Sequence, residues 1–219
     1  MTDTDTTPRT RRVTPRSAAV AGIAVPLVFL PTVALLTWAE YDFMTARGWS
    51  PVADSDALPF PSALARGPYG WVQDVNFLLA GMLALVLLAG LRRCFRRRRW
   101  GYVATVALGM FGVAGLLNAV PTSLPGEEAT LAGTLHFIGF LMTMLGGVVG
   151  TLAAGLALRG DPAWRGWWVY SVLTPVGMVA SATGLLGTPS DSGFYVLLLL
   201  LFGWFGVMGA RLYRVTSRA

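Results

Sequence analysis

The chain has 219 residues, 54% of them hydrophobic and 13% charged, with a net charge of +6. Soluble domains carry roughly 25% charged residues, and the shortfall here lies in long apolar runs, which excludes an ordinary water-soluble fold. A single cysteine excludes an intramolecular disulfide, and with a single histidine it leaves too few ligands for a zinc site, so no metal and no cofactor are expected.

A hydrocarbon core about 30 Å thick needs about 20 apolar residues at 1.5 Å each. Six stretches meet that requirement: Ala18–Trp38, Trp71–Leu91, Trp100–Val120, Thr134–Leu158, Trp167–Leu186 and Phe194–Tyr213. The expected fold class is therefore all-α, a polytopic membrane protein built as a six-transmembrane-helix bundle. The expected organisation is a disordered cytoplasmic tail at 1–17, one membrane domain at 18–213 with an outer loop at 39–70, and a short cytoplasmic tail at 214–219.

Met1–Ser17 is polar and threonine-rich and holds too little apolar surface to offset the entropy of ordering. Arg11-Arg12 lacks the apolar residues that closely follow a twin-arginine signal, and the run from Ala18 exceeds a signal-peptide core, so a retained first span is expected. Pro26 and Pro31 each remove a backbone donor from that span. The loop to Gly70 is rich in Pro, Ala and Gly, and Pro61–Arg66 has the length of about one helical turn. The second span ends in six arginines within Arg92–Arg99. Turns are expected at Leu124–Glu128 and at Arg159–Arg165, where Pro and Gly cluster, and a short link at Thr188–Ser192.

All basic residues are arginines, and their placement sets the expected orientation. Fifteen lie in the N-terminal tail, the 92–99 run, Arg159, Arg165 and the C-terminal segment; Arg47 and Arg66 alone fall on the other side. The positive-inside rule then puts both termini in the cytoplasm of a prokaryotic cell membrane. Arg92, Arg93, Arg96, Arg97, Arg98 and Arg99 are expected to rest on anionic headgroups of the bilayer, at about 1 kcal/mol of attraction each, rather than on nucleic acid. Trp38, Trp71, Trp100, Trp164, Trp167 and Trp168 fall near span ends, as an interfacial belt does.

The second span opens with Ser62-Ala-Leu-Ala-Arg-Gly67-Pro68-Tyr69-Gly70-Trp71-Val-Gln73-Asp-Val-Asn76-Phe77 and continues to Gly81 and Gly90-Leu91-Arg92-Arg93. The chain resembles, from Ala18 onward, a prokaryotic membrane family known as domain of unknown function nine-nine-eight. The resemblance implies six spans, a Phe-Pro-Thr-Asp-like turn after span three and a Gly-x-x-His at the start of span four. Gly133-Thr134-Leu135-His136 fits that pattern, whereas Val120-Pro121-Thr122-Ser123 has serine in place of the acid. That departure weakens an acid–histidine pair at this turn. The resemblance implies no activity.

Polar groups within spans are costly and therefore informative. On span four, Gly139, Thr143, Gly147, Thr151 and Gly155 recur every four residues, a small-residue stripe that lets helices approach closely. His136 shares that face and is expected to point into the bundle. Gln73, Asp74, Asn76, Asn118, Thr122, Ser123, His136 and Ser181 all belong to the outer halves of their spans and form the expected ligand-binding set of an outward-facing pocket. His136 and Asp74 are the candidate acid and base. Each has a plainer reading: a hydrogen-bonded interfacial histidine, and an acid that satisfies the free N–H groups of a helix start.

Three function classes remain. The first is an integral membrane protein that binds a small molecule, a lipid or a partner membrane protein through the outer pocket. The second is an intramembrane enzyme acting on a lipid-like substrate through His136 and Asp74. The third is a transporter, for which no internal repeat or pair of broken helices is visible.

Overall fold

The computed structural model describes residues 13–50, 60–124, 126–183, 185 and 190–217, without the side chains of 190–192. Residues 1–12, most of the tail expected to be disordered, lie outside these, as do residues 51–59 of the expected outer loop and Thr188 and Pro189 of the expected Thr188–Ser192 link, whose remaining residues open the last helix. Among the described residues the secondary structure is helical throughout. Seven α-helices follow one another: α1 (Pro15–Ala39), α2 (Tyr41–Thr45), α3 (Gly70–Leu91), α4 (Arg98–Asn118), α5 (Leu131–Leu158), α6 (Trp167–Ala182) and α7 (Ser190–Thr216).

α1 opens three residues before the apolar run. Thr14 caps it, its Oγ1 accepting from Ser17 N at 3.1 Å, and Pro15 stands where the missing N–H costs nothing. The helix continues through Pro26 and Pro31. α5 is capped in the same way, with Thr130 Oγ1 accepting from Gly133 N at 3.0 Å.

α1, α3, α4, α5 and α7 are long and apolar enough to cross a membrane. α6 is not: its 16 residues rise about 24 Å, against a core of about 30 Å. The expectation of six full spans is thus corrected to five long helices and one short one. The helix stops at Ala182, where Thr183 turns its hydroxyl back to Val179 O. Gly184, Gly187 and Pro189 follow in the sequence, all poor helix formers.

The long helices and α6 pack as a closed ring. α1 lies against α3, α3 against α4, α4 against α5, α5 against α6, α6 against α7, and α7 against α1; α3 also touches α7 across the ring. Neighbours joined by short links are antiparallel, and α1 and α3, though joined by a long segment, run antiparallel too, since Ala18 lies against Gly90 and Phe29 against Phe77, so a single up-and-down pattern closes on itself. Lipid tails are as apolar as leucine, so small residues rather than burial alone hold such helices together. The clearest case is α1 on α7: a Cβ on Gly209 would sit 2.7 Å from both Ala19 O and Ile23 N. The α5 stripe behaves likewise, with Gly139, Gly146, Gly147, Gly150, Thr151 and Gly155 all buried.

One end of the ring gathers the arginines. Arg93 donates to Val13 O, Arg96 pairs with Asp161 at 3.1 Å, Arg211 donates to Ala163 O, and Arg16 lies over the Tyr213 ring. This joins the start of α1, the α3–α4 link, the α5–α6 link and the end of α7. Trp38, Trp71 and Trp100 are exposed near helix ends. Trp164, expected among them, is instead only 1% exposed and packs into the core of the arginine-rich end.

Candidate functional site

The opposite end is closed by the segment that enters α3. After α1 the chain turns at Glu40, forms α2 and returns at Phe60 into a 3₁₀ turn, Ser62–Arg66. Ala63 and Leu64 of that turn are fully buried, which drives it down onto the bundle. Three polar contacts then fix it in place.

The first contact is Glu40, whose side chain is almost wholly buried. Its Oε1 accepts from Tyr69 N at 2.7 Å, at the N-cap of α3. Its Oε2 has no partner among the described residues. The carboxylate occupies the space beside Gly67, where an added Cβ would lie 2.0 Å from Oε2. Gly67 is therefore needed for close approach and not for its backbone angles. Burial holds the Glu40 carboxyl above its ordinary value of 4.5, and the Tyr69 N–H opposes that rise.

The second contact is His136. Its Nδ1 lies 2.7 Å from Val120 O and its Nε2 lies 2.7 Å from Ser62 Oγ. A carbonyl only accepts, so Nδ1 carries the proton. In the neutral ring Nε2 is then the acceptor, and Ser62 Oγ–H donates to it. The ring is 3% exposed and meets Phe77 edge-on, with centroids 6.0 Å apart. The third contact is Arg66, which donates to Thr122 O at 3.3 Å and pairs with Glu127 at 2.9 Å. The other Glu127 oxygen accepts from Leu124 N. The 62–66 turn is thus tied to the α4–α5 link at two points.

Beneath this cap runs a cleft into the ring. Phe60, Pro61 and Ser62 form its roof; Phe77, Ala80, Gly81, Gly115 and Asn118 line one side, and Phe140, Thr143, Met144, Phe194 and Leu198 the other. Its floor is the stacked pair Phe29–Phe202, with centroids 3.7 Å apart, and the edge of Phe111. The eight steps from Phe194 to Phe202 rise about 12 Å, which sets the depth. Its cavity volume is only about 40 Å³. The cleft is therefore long, narrow and largely apolar, polar only at Ser62, Asn118 and Thr143.

The expected binding set divides accordingly. Asn118 lines the cleft, with Nδ2 donating to Thr143 Oγ1 at 2.9 Å and Oδ1 unpartnered among the described residues. His136 holds the roof from behind, through Ser62. Gln73 and Asn76 are buried on α3 and bond each other at 3.2 Å, and Asn76 also donates to Phe29 O at 3.2 Å. Thr122 and Ser123 sit in the α4–α5 link beneath Arg66 and beside Gly133, and Ser123 Oγ lies 3.5 Å from Thr130 Oγ1. Ser181 bonds back to Gly177 O within α6. Asp74 is only partly buried and makes no hydrogen bond to His136, whose two ring nitrogens go to Val120 and Ser62. The sequence reading missed Glu40 and Ser62. For Ser62 the signal was its place at the head of the motif leading into span two; for Glu40 it was Gly67.

A comparison with protein families matches residues 20–213 to the family described as Protein of unknown function (DUF998). The chain belongs to that family. In this DUF998 member the stretch Ser62–Gly70 that enters the second span makes the cap just described: Ser62 meets His136, Gly67 makes room for Glu40, and Gly70 packs against the Ala65 carbonyl. Comparisons with curated proteins and with solved structures return no match.

Proposed function

We propose that this DUF998 protein is a multi-pass protein of a prokaryotic cell membrane that holds one acyl chain of a lipid in the cleft under the 60–66 cap. The observation that carries this reading is the shape of the cleft. Ligand pockets for compact molecules run to about 300–1,000 Å³ of usable space. This one is about 12 Å deep by helix rise, yet too thin for a ring system without side-chain movement. An extended hydrocarbon chain suits such a slot, and Phe29, Phe77, Phe111, Phe140, Phe194 and Phe202 offer it apolar surface. The polar groups at the roof and upper wall suit the ester end of the chain.

The orientation belongs to the same proposal. The arginine-rich end faces the cytoplasm, with Arg92, Arg93 and Arg96–Arg99 on anionic headgroups, and the cap faces outward. A phospholipid carrying a diazirine at the tip of one acyl chain tests the cleft. Irradiation should yield adducts near Phe29 and Phe202. Adducts confined to outward residues such as Leu27 and Leu199, both more than half exposed, would refute occupancy of the cleft.

A further inference from the structure

We infer that Ser62 and His136 form a nucleophile–base pair at the mouth of the cleft, acting on the carboxylic ester of a lipid whose acyl chain lies below. The inference rests on the acyl-chain reading of the cleft and adds chemistry to it. Three observations place the pair. Ser62 Oγ lies 2.7 Å from His136 Nε2, within the reach a general base needs. His136 Nδ1–H is held by Val120 O at 2.7 Å, which fixes the tautomer that leaves Nε2 free to accept. Ser62 itself lines the cleft, whereas His136 stands behind it, so the hydroxyl and not the imidazole meets the ligand.

The arrangement has the order of a catalytic triad with a backbone carbonyl in the position of the acid. Ser62 Oγ attacks the ester carbonyl carbon while its proton passes to Nε2. The imidazolium keeps its Nδ1–H on Val120 O. The carbon–oxygen bond to the lipid alcohol then breaks, and the alcohol leaves with the proton from Nε2. Water, or a second alcohol, adds to the acyl-serine carbon and gives its proton to Nε2; the carbon–Oγ bond then breaks, Ser62 Oγ takes that proton back from Nε2, and the carboxylic acid or new ester leaves. With water the net change is ester plus water to carboxylic acid plus alcohol, and no redox partner is needed. A buried ring with both nitrogens engaged is also a sound way to pin a loop, so the test must separate reactivity from fixation.

The probe is a long-chain alkyl fluorophosphonate added to the full-length protein in mild detergent and followed by intact mass. Ser62 Oγ would bond to phosphorus as fluoride leaves and the proton goes to His136. The expected result is one phosphonate per chain, mapped to Ser62. Ser62→Ala should abolish it, and His136→Gln should slow it by about 100-fold or more, the usual share of a general base. Ser62→Cys keeps a donor to Nε2 and serves as a folded control by thermal unfolding; it should also lose the phosphonate. Failure of the wild type to label, labelling at another serine, or an unchanged rate in His136→Gln overturns the pair. The diazirine lipid is run on the same sample. Adducts in the cleft without phosphonylation would sink the pair and leave the binding reading standing. Phosphonylation of Ser62 without such adducts would uphold the pair and sink the occupancy.

Discussion

Replacing His136 with alanine removes the bond that joins the cap to α5 and the bond that joins α5 to the α4–α5 link, while Arg66 still holds the cap to that link. Val120 O, 2.7 Å from Nδ1, and Ser62 Oγ, 2.7 Å from Nε2, would both be left without their partner. Each stranded buried group costs about 1–3 kcal/mol. Ser62 is half-buried and regains water on opening, so the lower half of that range suits it. The void left beside Phe77 adds to the loss. A total of about 2–4 kcal/mol follows, and most of it should appear as local opening of 60–70, because the ring of long helices keeps its glycine contacts. Hydrogen exchange in detergent is the suitable assay. Amides of the 62–70 segment should exchange roughly 30-fold faster or more, while those in the middle of α4 and α5 stay protected. Uniform loss of protection across the bundle, or none at all in the cap, would refute the role of His136 as the tie.

Glu40→Gln keeps the acceptor for Tyr69 N and removes the ionisation. Because the folded carboxyl sits above its ordinary value, the folded state binds more protons in the window from about 4.5 up to that raised value. Stability should therefore fall as pH rises through this window in the wild type, and the fall should vanish in Glu40→Gln, as read by thermal unfolding against pH. Gly67→Ala pushes a methyl into the Glu40 carboxylate and should cost about 1–3 kcal/mol, with Glu40→Ala restoring much of it in a double-mutant cycle. Gly209→Val drives α7 off the backbone of α1 and should lower the unfolding midpoint in a detergent titration more than Gly203→Val, where an added Cβ meets nothing within 4 Å.

The long helices were readable because a span needs a length of apolar residues and nothing else. The face of α5 was readable because Gly139, Thr143, Gly147, Thr151 and Gly155 repeat near the helical period. The short α6 was not, since hydropathy ran on past Ala182 through glycines that do not sustain a helix. The partners of His136 were also out of reach. Val120 is 16 residues away and Ser62 is 74, both in irregular segments without periodicity. Asp74 and Gln73 show how fine the margin is: one residue is about 100° around a helix, and it is Gln73 that is fully buried. The pocket, expected as polar, is a mainly aromatic slot because the polar side chains of α3 and of the α4–α5 link are spent on holding helices and cap together.

The most direct test of a chain-shaped cleft under a fixed cap is the lipid retained by the purified protein in native mass spectrometry, compared with Ala80→Leu. Ala80 is 3% exposed and lines the cleft, so leucine there fills the slot with a good helix former. The account predicts one tightly held acyl lipid on the wild type and none on Ala80→Leu, with the two unfolding at similar temperatures once the wild type is delipidated. Equal retention by both proteins, or none by the wild type after gentle extraction, would contradict it.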